Sequence, residues 1–285
     1  MYRIAILGCE NSHANGFLEL IKNGAFSDIC VLGVYSDEPE TAKALNEKYG
    51  VPVMESFDSL VGELDGLIVT ARHGDNHYKY AKPYMKSGIP MFIDKPITCT
   101  EDDVRAMMME AKENGVRLTG GSMLGLMDEV IEAKRRVDGG EIGDIVGGNV
   151  TSPVSSENNY GGFFFYSQHL VGTLTSVFGC DVKSVYVTNN GSLNVIFRYE
   201  KFDVTATYLE GVYKYSVGVY GTKGVYHSPI NVASYGFERE LSDFASLLKG
   251  GEMQYSYADF ASAVFILNAI VKAKDSGEWV EINTL

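Results

Sequence analysis

The N-terminal residues contain a turn of the kind that binds phosphate groups. The apolar run at 2–7 predicts a β-strand that ends at Gly8, and a helical pattern begins a few residues later. Where a strand meets a helix through a glycine turn, the N-terminal amides of the helix can hold a pyrophosphate. We call residues 8–13 the glycine turn, because the dinucleotide-binding pattern G-x-G-x-x-G would cover them.

Only the first of the expected glycines is present in the glycine turn. Glu10 stands at the second position, where it adds a negative charge near the phosphates, and His13 stands at the third, where a glycine lets helix and strand pack closely. One interpretation is a purely structural turn, in which Asn11 or Ser12 caps the helix and Glu10 complements the helix dipole. The other is a dinucleotide site built from Gly8, Glu10, Asn11, Ser12 and His13.

The second cue for a dinucleotide is the residue that ends the second strand, which is predicted over 29–35. An Asp or Glu at that position would hold the ribose hydroxyls. This sequence has Ser36 there and Asp37 next to it. A serine leaves room for a 2′-phosphate, whereas the neighbouring carboxylate would repel one. These residues therefore leave NAD and NADP open as alternatives.

A lysine follows a later predicted strand. The strand-like run at 90–93 continues into Asp94-Lys95-Pro96. The carboxyl ends of parallel strands face the crevice in which doubly wound sheets bind ligands. A lysine there can hydrogen-bond a reacting oxygen or help to move its proton. The alternative is a surface lysine with no chemical role.

Two histidines, His73 and His77, have the spacing of zinc ligands on one helix face. Gly74 stands where the H-E-x-x-H motif has its glutamate, and Gly74-Asp75 is unfavourable inside a helix. We therefore predict a loop followed by a helix, and no metal site. The sequence contains neither a G-x-S-x-G elbow nor a G-x-x-x-x-G-K-[ST] loop, so it does not indicate a hydrolase or a P-loop enzyme.

The elements that position these residues fall into two groups. Up to residue 120, short apolar runs alternate with helical patterns, which predicts a doubly wound parallel sheet of Rossmann type. Further on, runs rich in Val, Thr, Tyr and Phe, from 183–188 to 215–220, predict a large, mostly antiparallel sheet. We predict an α/β fold with a dinucleotide-binding domain at 1–120 and an α+β substrate-binding and oligomerisation domain at 121–285.

Composition excludes several classes of function. The chain has 285 residues, of which 45% are hydrophobic, so two domains with cores are expected. Its formal net charge of -13 gives no overall attraction to nucleic acids or anionic membranes. No apolar stretch reaches the roughly 20 residues of a membrane span, and the N-terminal run is too short for a signal peptide. The four cysteines form no C-x-x-C pair, so we expect a soluble cytoplasmic protein with free thiols.

Several motifs together resemble the Gfo/Idh/MocA oxidoreductases, a family that includes glucose–fructose oxidoreductase and inositol dehydrogenase. The resemblance spans nearly the whole chain. The matching segments are Val69-Thr70-Ala71 through His77, Asp94-Lys95-Pro96 where the family has E-K-P, Gly140 to Asp144, Gly161-Gly162 followed by His169, and the hairpin turn at 221–224. The resemblance implies an NAD or NADP cofactor, with Thr70, His73, His77, Asp94 and Lys95 beside it.

The resemblance also implies two catalytic residues. Lys95 matches the lysine that lies beside the nicotinamide and the substrate hydroxyl, and His169 matches the histidine that acts as acid and base. The family's aspartate four residues before that histidine falls on Phe165, which cannot orient an imidazole. The adjacent Tyr166 could supply a hydroxyl, and the run 163–165 is expected to pack between the domains. An arginine that often follows the sixth strand is absent, so an anionic substrate would have one fewer partner.

Three functions fit these residues. The first is an NAD(P)-dependent oxidoreductase acting on a hydroxyl or carbonyl of a sugar, polyol or related small molecule held between the domains. The second is a redox-inactive binding or regulatory protein, because Glu10, His13 and Phe165 replace residues that the chemistry uses. The third is a lyase or epimerase that uses Lys95 and His169. The resemblance further implies a homodimer or homotetramer formed through the C-terminal sheet.

Overall fold

A computed structural model describes residues 1–285 as twelve strands and eight α-helices. The strands are β1 (Tyr2–Leu7), β2 (Ile29–Tyr35), β3 (Gly66–Val69), β4 (Met91–Asp94), β5 (Leu118–Gly121), β6 (Ile145–Val154), β7 (Ser184–Asn190), β8 (Ser192–Arg198), β9 (Asp203–Glu210), β10 (Ser216–Gly221), β11 (Val225–Pro229) and β12 (Val280–Glu281). The helices are α1 (Ser12–Lys22), α2 (Pro39–Tyr49), α3 (Asp75–Met85), α4 (Glu101–Asn114), α5 (Asp128–Asp138), α6 (Phe164–Phe178), α7 (Tyr235–Leu248) and α8 (Tyr257–Ser276).

The chain forms two compact units, and each is discontinuous in sequence. Unit 1 contains Met1–Gly121 and Phe237–Phe260, and unit 2 contains Ser122–Gly236 and Ala261–Leu285. The domain boundary predicted from the sequence placed 237–260 in the second domain, whereas the contacts of the structure group this segment with the first part of the chain. An amphipathic pattern shows that a helix has an apolar face but not which sheet that face will cover.

Unit 1 is built on a five-stranded sheet in the order β2-β1-β3-β4-β5. All four strand pairs are parallel, which confirms the predicted Rossmann-type sheet. The short run at 52–54 contributes a single parallel bridge between Val53 and Val34. Strand order reverses direction at β1, which places the chemistry-bearing loops after β1 and β3 at the usual ligand-binding position of such sheets.

The helix α7 completes the hydrophobic core of unit 1. Its Phe244 and Leu248 belong to the buried cluster that contains Ile4 of β1 and Ile68 of β3. At the start of β3, a Cβ on Gly66 would lie 2.5 Å from Leu248 and 2.9 Å from Phe244. Any larger residue at position 66 would therefore require the side chains of Leu248 and Phe244 to shift.

Unit 2 is built on a seven-stranded sheet in the order β11-β10-β6-β9-β8-β7-β12. The predicted, mostly antiparallel sheet is confirmed, and the one parallel pair is β6 with β9. The helix α6 lies against this sheet, where Gly148 of β6 leaves space for the ring of Phe178. On β9 the buried Tyr208 donates a hydrogen bond of 3.0 Å to the carbonyl of Ser167, which fixes the helix to the strand.

Capping residues set both ends of helix α4. The helix α4 begins after Thr100, whose hydroxyl accepts a bond from the Asp103 amide, and ends at Gly115 with a φ of 67°.

The four cysteines are free thiols. None of the helices combines the length and apolar composition needed to cross a lipid bilayer.

Candidate functional site

The predicted cofactor residues of unit 1 lie at one edge of its sheet. Gly8 follows β1, Ser36 follows β2, Thr70 follows β3, and Asp94 ends β4, with Lys95 immediately after it. These are the carboxyl ends of neighbouring parallel strands, where doubly wound sheets bind their ligands. The fold therefore brings together groups that are widely separated in sequence.

The glycine turn is tightly packed against the loop after β3. Gly8 has a φ of 74°, and a Cβ added there would lie 2.4 Å from the backbone of Ala71. The hydroxyl of Thr70 donates to the Gly8 carbonyl at 3.0 Å, and the Gly8 amide donates to the carbonyl of Tyr35 at 2.8 Å. A glycine is required here because no side chain could occupy that space.

The N-terminus of α1 has no side-chain cap. Asn11 occupies the N-cap position, but its amide nitrogen donates to Oδ2 of Asp94 at 2.9 Å, while its oxygen accepts from the Ser12 hydroxyl at 3.2 Å. Asn11 therefore stands at the predicted N-cap position, but its side chain makes no capping hydrogen bond. The first turn of α1 also contains no acidic residue. Its backbone amides suit an anion such as the pyrophosphate of a dinucleotide, so the residues present fit that group.

Glu10 crosses from the glycine turn to two neighbouring loops. Its Oε2 accepts a bond of 2.7 Å from the Ser36 hydroxyl, and its Oε1 accepts one of 2.9 Å from the Arg72 amide. Ser36 is buried, and its hydroxyl also accepts from the Glu38 amide at 3.0 Å. The carboxylate of Glu10 is thereby held at the ends of β2 and β3.

The neighbouring Asp37 has its own partners. Its carboxylate accepts from the Tyr35 hydroxyl at 2.7 Å and from the Lys79 ammonium at 3.2 Å. Partial burial alone would raise the pKa of Asp37, but hydrogen bonds from Tyr80, Tyr35 and Lys79 outweigh it and lower that pKa. Asp37 is therefore ionised, and protein side chains already donate hydrogen bonds to its carboxylate.

His13 lies in a buried group of charges, which we call the His13 triad: Asp94, His13 and Glu240. Its Nδ1 is 3.2 Å from Oδ2 of Asp94, and its Nε2 is 3.3 Å from Oε2 of Glu240 on α7. Burial would lower the pKa of His13, but the two carboxylates outweigh it and raise that pKa. Burial also raises the pKa of Glu240, an effect that His13 opposes. The two carboxylates therefore favour the charged form of the imidazole.

Lys95 is also buried, at 5% exposure, next to the His13 triad. Its backbone amide donates to Oδ1 of Asp94 at 2.7 Å, so Asp94 fixes both Lys95 and the glycine turn. Burial lowers the pKa of Lys95, although Asp94 and Glu240 oppose the effect. The expectation of a surface lysine is therefore wrong, and this ammonium releases its proton more readily than an exposed one does.

His77 and His73 occupy different environments. His77 is fully buried, with Nε2 2.7 Å from the Ala71 carbonyl and Nδ1 3.3 Å from that of Ile97. A neutral ring has one N–H to donate, and the shorter contact joins α3 to the loop after β3. Burial lowers the pKa of His77, which keeps the ring neutral. His73 is partly exposed and lies with Asp75 and Cys99 in a group whose ligand atoms are within 4.8 Å of one another. Burial raises the pKa of the Cys99 thiol to about 12, which disfavours the thiolate that a metal would require.

In unit 2, His169 on α6 has a hydroxyl partner in place of the family's aspartate. Its Nδ1 lies 2.9 Å from the Ser122 hydroxyl, which follows β5. The approach is close because Gly172, one turn after His169, has no side chain: a Cβ there would lie 2.6 Å from that of Ser122. Ser122 therefore orients the imidazole that Phe165 cannot orient.

Tyrosines surround the same histidine. The ring of Tyr166 lies 5.3 Å from that of His169. The ring of Tyr213 lies 6.0 Å from that of Tyr166, and the ring of Tyr215 lies 6.4 Å from that of His169. Burial raises the pKa of Tyr166 and of Tyr215, and the two hydroxyls share a hydrogen bond. We call Tyr166, Tyr213 and Tyr215 the tyrosine cluster. Phe165 packs within its own unit, 5.2 Å from the ring of Tyr160.

Two residues of these sites were missed by sequence reasoning. Glu240 lies on the apolar face of α7 beside Leu241, and a charged residue on such a face is a usable signal. Ser122 directly follows β5, and the sequence there lacks the arginine that the family resemblance implies. Gly172 lies three residues after His169, and this spacing is only a weak signal that another residue packs closely against the helix. Both partners lie far away in sequence from the histidine that they contact.

Comparisons with known proteins agree with this architecture. Residues 2–122 match the model of an oxidoreductase family with an NAD-binding Rossmann fold, GFO_IDH_MocA. An uncharacterized oxidoreductase of Streptococcus pneumoniae is 32% identical over 111 residues, which are 38% of this chain and 30% of that protein. The scyllo-inositol 2-dehydrogenase (NAD(+)) of Bacillus subtilis is 35% identical over 83 residues, which are 28% of this chain and 23% of that protein. The matches thus span less than a third of the length of these curated relatives.

Solved structures share the fold along the whole chain. The scyllo-inositol dehydrogenase of Lactobacillus casei with bound NAD(H) and scyllo-inositol has a TM-score of 0.83 at 17% identity, covering 99% of each chain. The myo-inositol 2-dehydrogenase of Lactobacillus plantarum has a TM-score of 0.87 at 16% identity, also covering 99% of each chain. Residues 2–122 of this chain therefore resemble the Gfo/Idh/MocA oxidoreductases, whose family model describes an NAD-binding Rossmann fold.

Proposed function

We propose that the protein is an NAD(P)-dependent oxidoreductase that interconverts a hydroxyl and a carbonyl on a sugar, polyol or related small molecule. The observation that carries this proposal is Lys95, a buried lysine of lowered pKa at the end of β4, held by Asp94 beside the glycine turn. Matches to an NAD-binding family and to inositol dehydrogenases support the same reaction class.

Each unit contributes a different part of the proposed chemistry. When bound, the nicotinamide supplies hydride exchange with the substrate carbon. In unit 1, the Gly8 backbone and the amides of α1 hold the pyrophosphate, and Lys95 donates a hydrogen bond to the reacting oxygen. In unit 2, His169 takes up or returns the hydroxyl proton through Nε2, because Nδ1 is engaged by Ser122.

The proposed substrate is neutral and rich in hydroxyl groups. The tyrosine cluster offers apolar ring faces together with hydroxyl handles around His169, which suits a polyol. The segment after β5, Ser122 to Leu124, lacks the arginine that would favour an anion. We further propose that the protein acts in the cytoplasm, which its free cysteines support, and that it forms a homodimer or homotetramer through the sheet of unit 2.

Cofactor titration and turnover test the proposal together. We expect saturable binding of NADH or NADPH, followed through the fluorescence of the nicotinamide, and cofactor reduction by members of a polyol panel. Lys95→Ala should lower kcat about a hundredfold or more while the fold is retained. Absence of saturable binding at millimolar cofactor would contradict the proposal.

A second candidate is a redox-inactive protein that binds a small molecule. Glu10 favours it, because its carboxylate occupies a turn in which cofactor-binding relatives place glycine. The substitution Glu10→Gly separates the two candidates. A gain of cofactor affinity in that variant, together with no wild-type turnover on any polyol, would favour the second.

A further inference from the structure

We propose that Glu10 selects the nucleotide, binding the adenosine ribose diol of NAD and disfavouring the 2′-phosphate of NADP. This inference rests on the proposed function, because it assigns a role within the same dinucleotide site. Dinucleotide-binding sheets usually place the ribose-binding acid at the end of the second strand. Here Ser36 is the residue that follows β2, and Glu10 of the glycine turn is hydrogen-bonded to its hydroxyl.

The hydrogen-bond capacity of Glu10 matches a diol. The Ser36 hydroxyl and the Arg72 amide each donate one bond to the Glu10 carboxylate, at 2.7 and 2.9 Å. A carboxylate accepts about four hydrogen bonds, so roughly two sites remain. Two ribose hydroxyls need two acceptors, whereas a 2′-phosphate would bring its charge against the carboxylate.

Ser36 is committed to this arrangement. Its hydroxyl donates its one proton to Glu10 and accepts from the Glu38 amide at 3.0 Å. It therefore has no proton left to donate to a 2′-phosphate, although a serine at this position leaves space for one. The small, buried serine instead leaves room for the carboxylate that reaches across from the turn.

The other charged groups near the end of β2 reinforce the same choice. Asp37 accepts bonds from Tyr35 and Lys79, so its carboxylate is already engaged and adds negative charge. The Lys79 ammonium, which would otherwise attract a phosphate, forms its ion pair with Asp37 at 3.2 Å. The end of β2 is therefore a site for hydroxyl donors rather than for an anion.

Binding measurements on purified full-length protein test the inference without relying on turnover. Dissociation constants for NADH and NADPH are measured by nicotinamide fluorescence. We expect wild type to bind NADH at least about tenfold more tightly. Glu10→Gln keeps the shape and removes the charge, and should reduce the preference for NADH about tenfold. Glu40→Gln is the matched control, since Glu40 is an exposed acid on α2, and its preference should equal that of wild type.

A relocation experiment separates charge from shape. Glu10→Gly should lose the preference for NADH, and the double variant Glu10→Gly/Ser36→Asp, which returns the acid to the end of β2, should regain it. Circular dichroism confirms that each variant is folded. Tighter NADH binding by Glu10→Gln or Glu10→Gly would overturn the inference, because the carboxylate would then obstruct the cofactor. Equal affinities in wild type, or a preference for NADPH, would overturn it while leaving the proposed function intact, whereas no binding of either cofactor would overturn both.

Discussion

His13 in unit 1 and His169 in unit 2 are both buried histidines of a candidate site, and their neighbours differ in charge. His13 lies between the carboxylates of Asp94 and Glu240, which raise its pKa and so favour its charged form. His169 is held by the hydroxyl of Ser122 and faces the tyrosine cluster. A histidine fixed between acids acts as a structural charge, whereas one held by a hydroxyl can exchange its proton more freely. The neighbours of each ring, more than its place in a motif, therefore assign its role.

The largest expected effect is the loss of turnover when His169 of unit 2 is replaced. His169→Ala should lower kcat about 10²- to 10⁴-fold, because the proposed acid and base of the reaction is removed. Steady-state kinetics on a polyol that wild type oxidises give the measurement. His227→Ala, which removes an exposed histidine of the same unit, serves as the control and should keep the wild-type kcat. If both variants are equally active, His169 is not the acid or base.

The matching experiment in unit 1 concerns stability. His13→Ala leaves Asp94 and Glu240 buried without their cation, and should lower the free energy of unfolding by about 3–5 kcal/mol. Urea unfolding provides the measurement. His73→Ala, at a partly exposed position, should change it by no more than about 0.5 kcal/mol. A loss for His13→Ala as small as that of the control would show that the triad does not stabilise unit 1.

A smaller effect is expected from the partner of His169. Ser122→Ala should lower kcat by up to about tenfold and leave KM unchanged, because the hydroxyl orients the imidazole without binding substrate. The pH profile of kcat/KM should shift as well, since Nδ1 loses its hydrogen bond. An unchanged kcat and an unchanged pH profile together would remove Ser122 from the site.

The smallest effect is the pH dependence of the His13 triad. Because the pKa of His13 is raised above its value of about 6.5 in unfolded chains, its contribution to stability is complete below that pH and is lost as pH rises through the folded value. The raised pKa of Glu240 acts in the same direction. As pH rises from about 6 to about 8, the free energy of unfolding of wild type should fall relative to the uncharged reference His13→Gln/Glu240→Gln. A difference that stays constant or grows with pH would contradict the assignment of His13 as a cation.

Local features of the fold could be predicted from the sequence, and long-range pairings could not. The bounds of α4 are set by local residues, because the Thr100 cap marks its start and the left-handed Gly115 ends it. The parallel pairing of β6 with β9 and the return of α7 to unit 1 depend on which apolar faces meet, and periodicity does not carry that information.

The candidate site divides in the same way. Gly8 and Lys95 could be predicted as site residues from the strands that they follow, whereas His169 was predicted from the family resemblance. The contacts of Glu240 with His13 and of Ser122 with His169 join residues distant in sequence, so no local pattern reveals them. The carboxylate of Glu10 was expected near the phosphates, and its hydrogen bond to Ser36 follows only from the packing of the loops after β1 and β2.

The return of α7 to unit 1 has a consequence for the order of events during synthesis. Residues 1–121 are translated before 237–248, which supply part of their core and one of the two partners of His13, and the whole of 122–236 is made in between. Until then the apolar surface that Phe244 and Leu248 cover stays open to water, and the imidazole faces Asp94 alone. The dinucleotide-binding unit is therefore completed late in translation, although its sequence is read first.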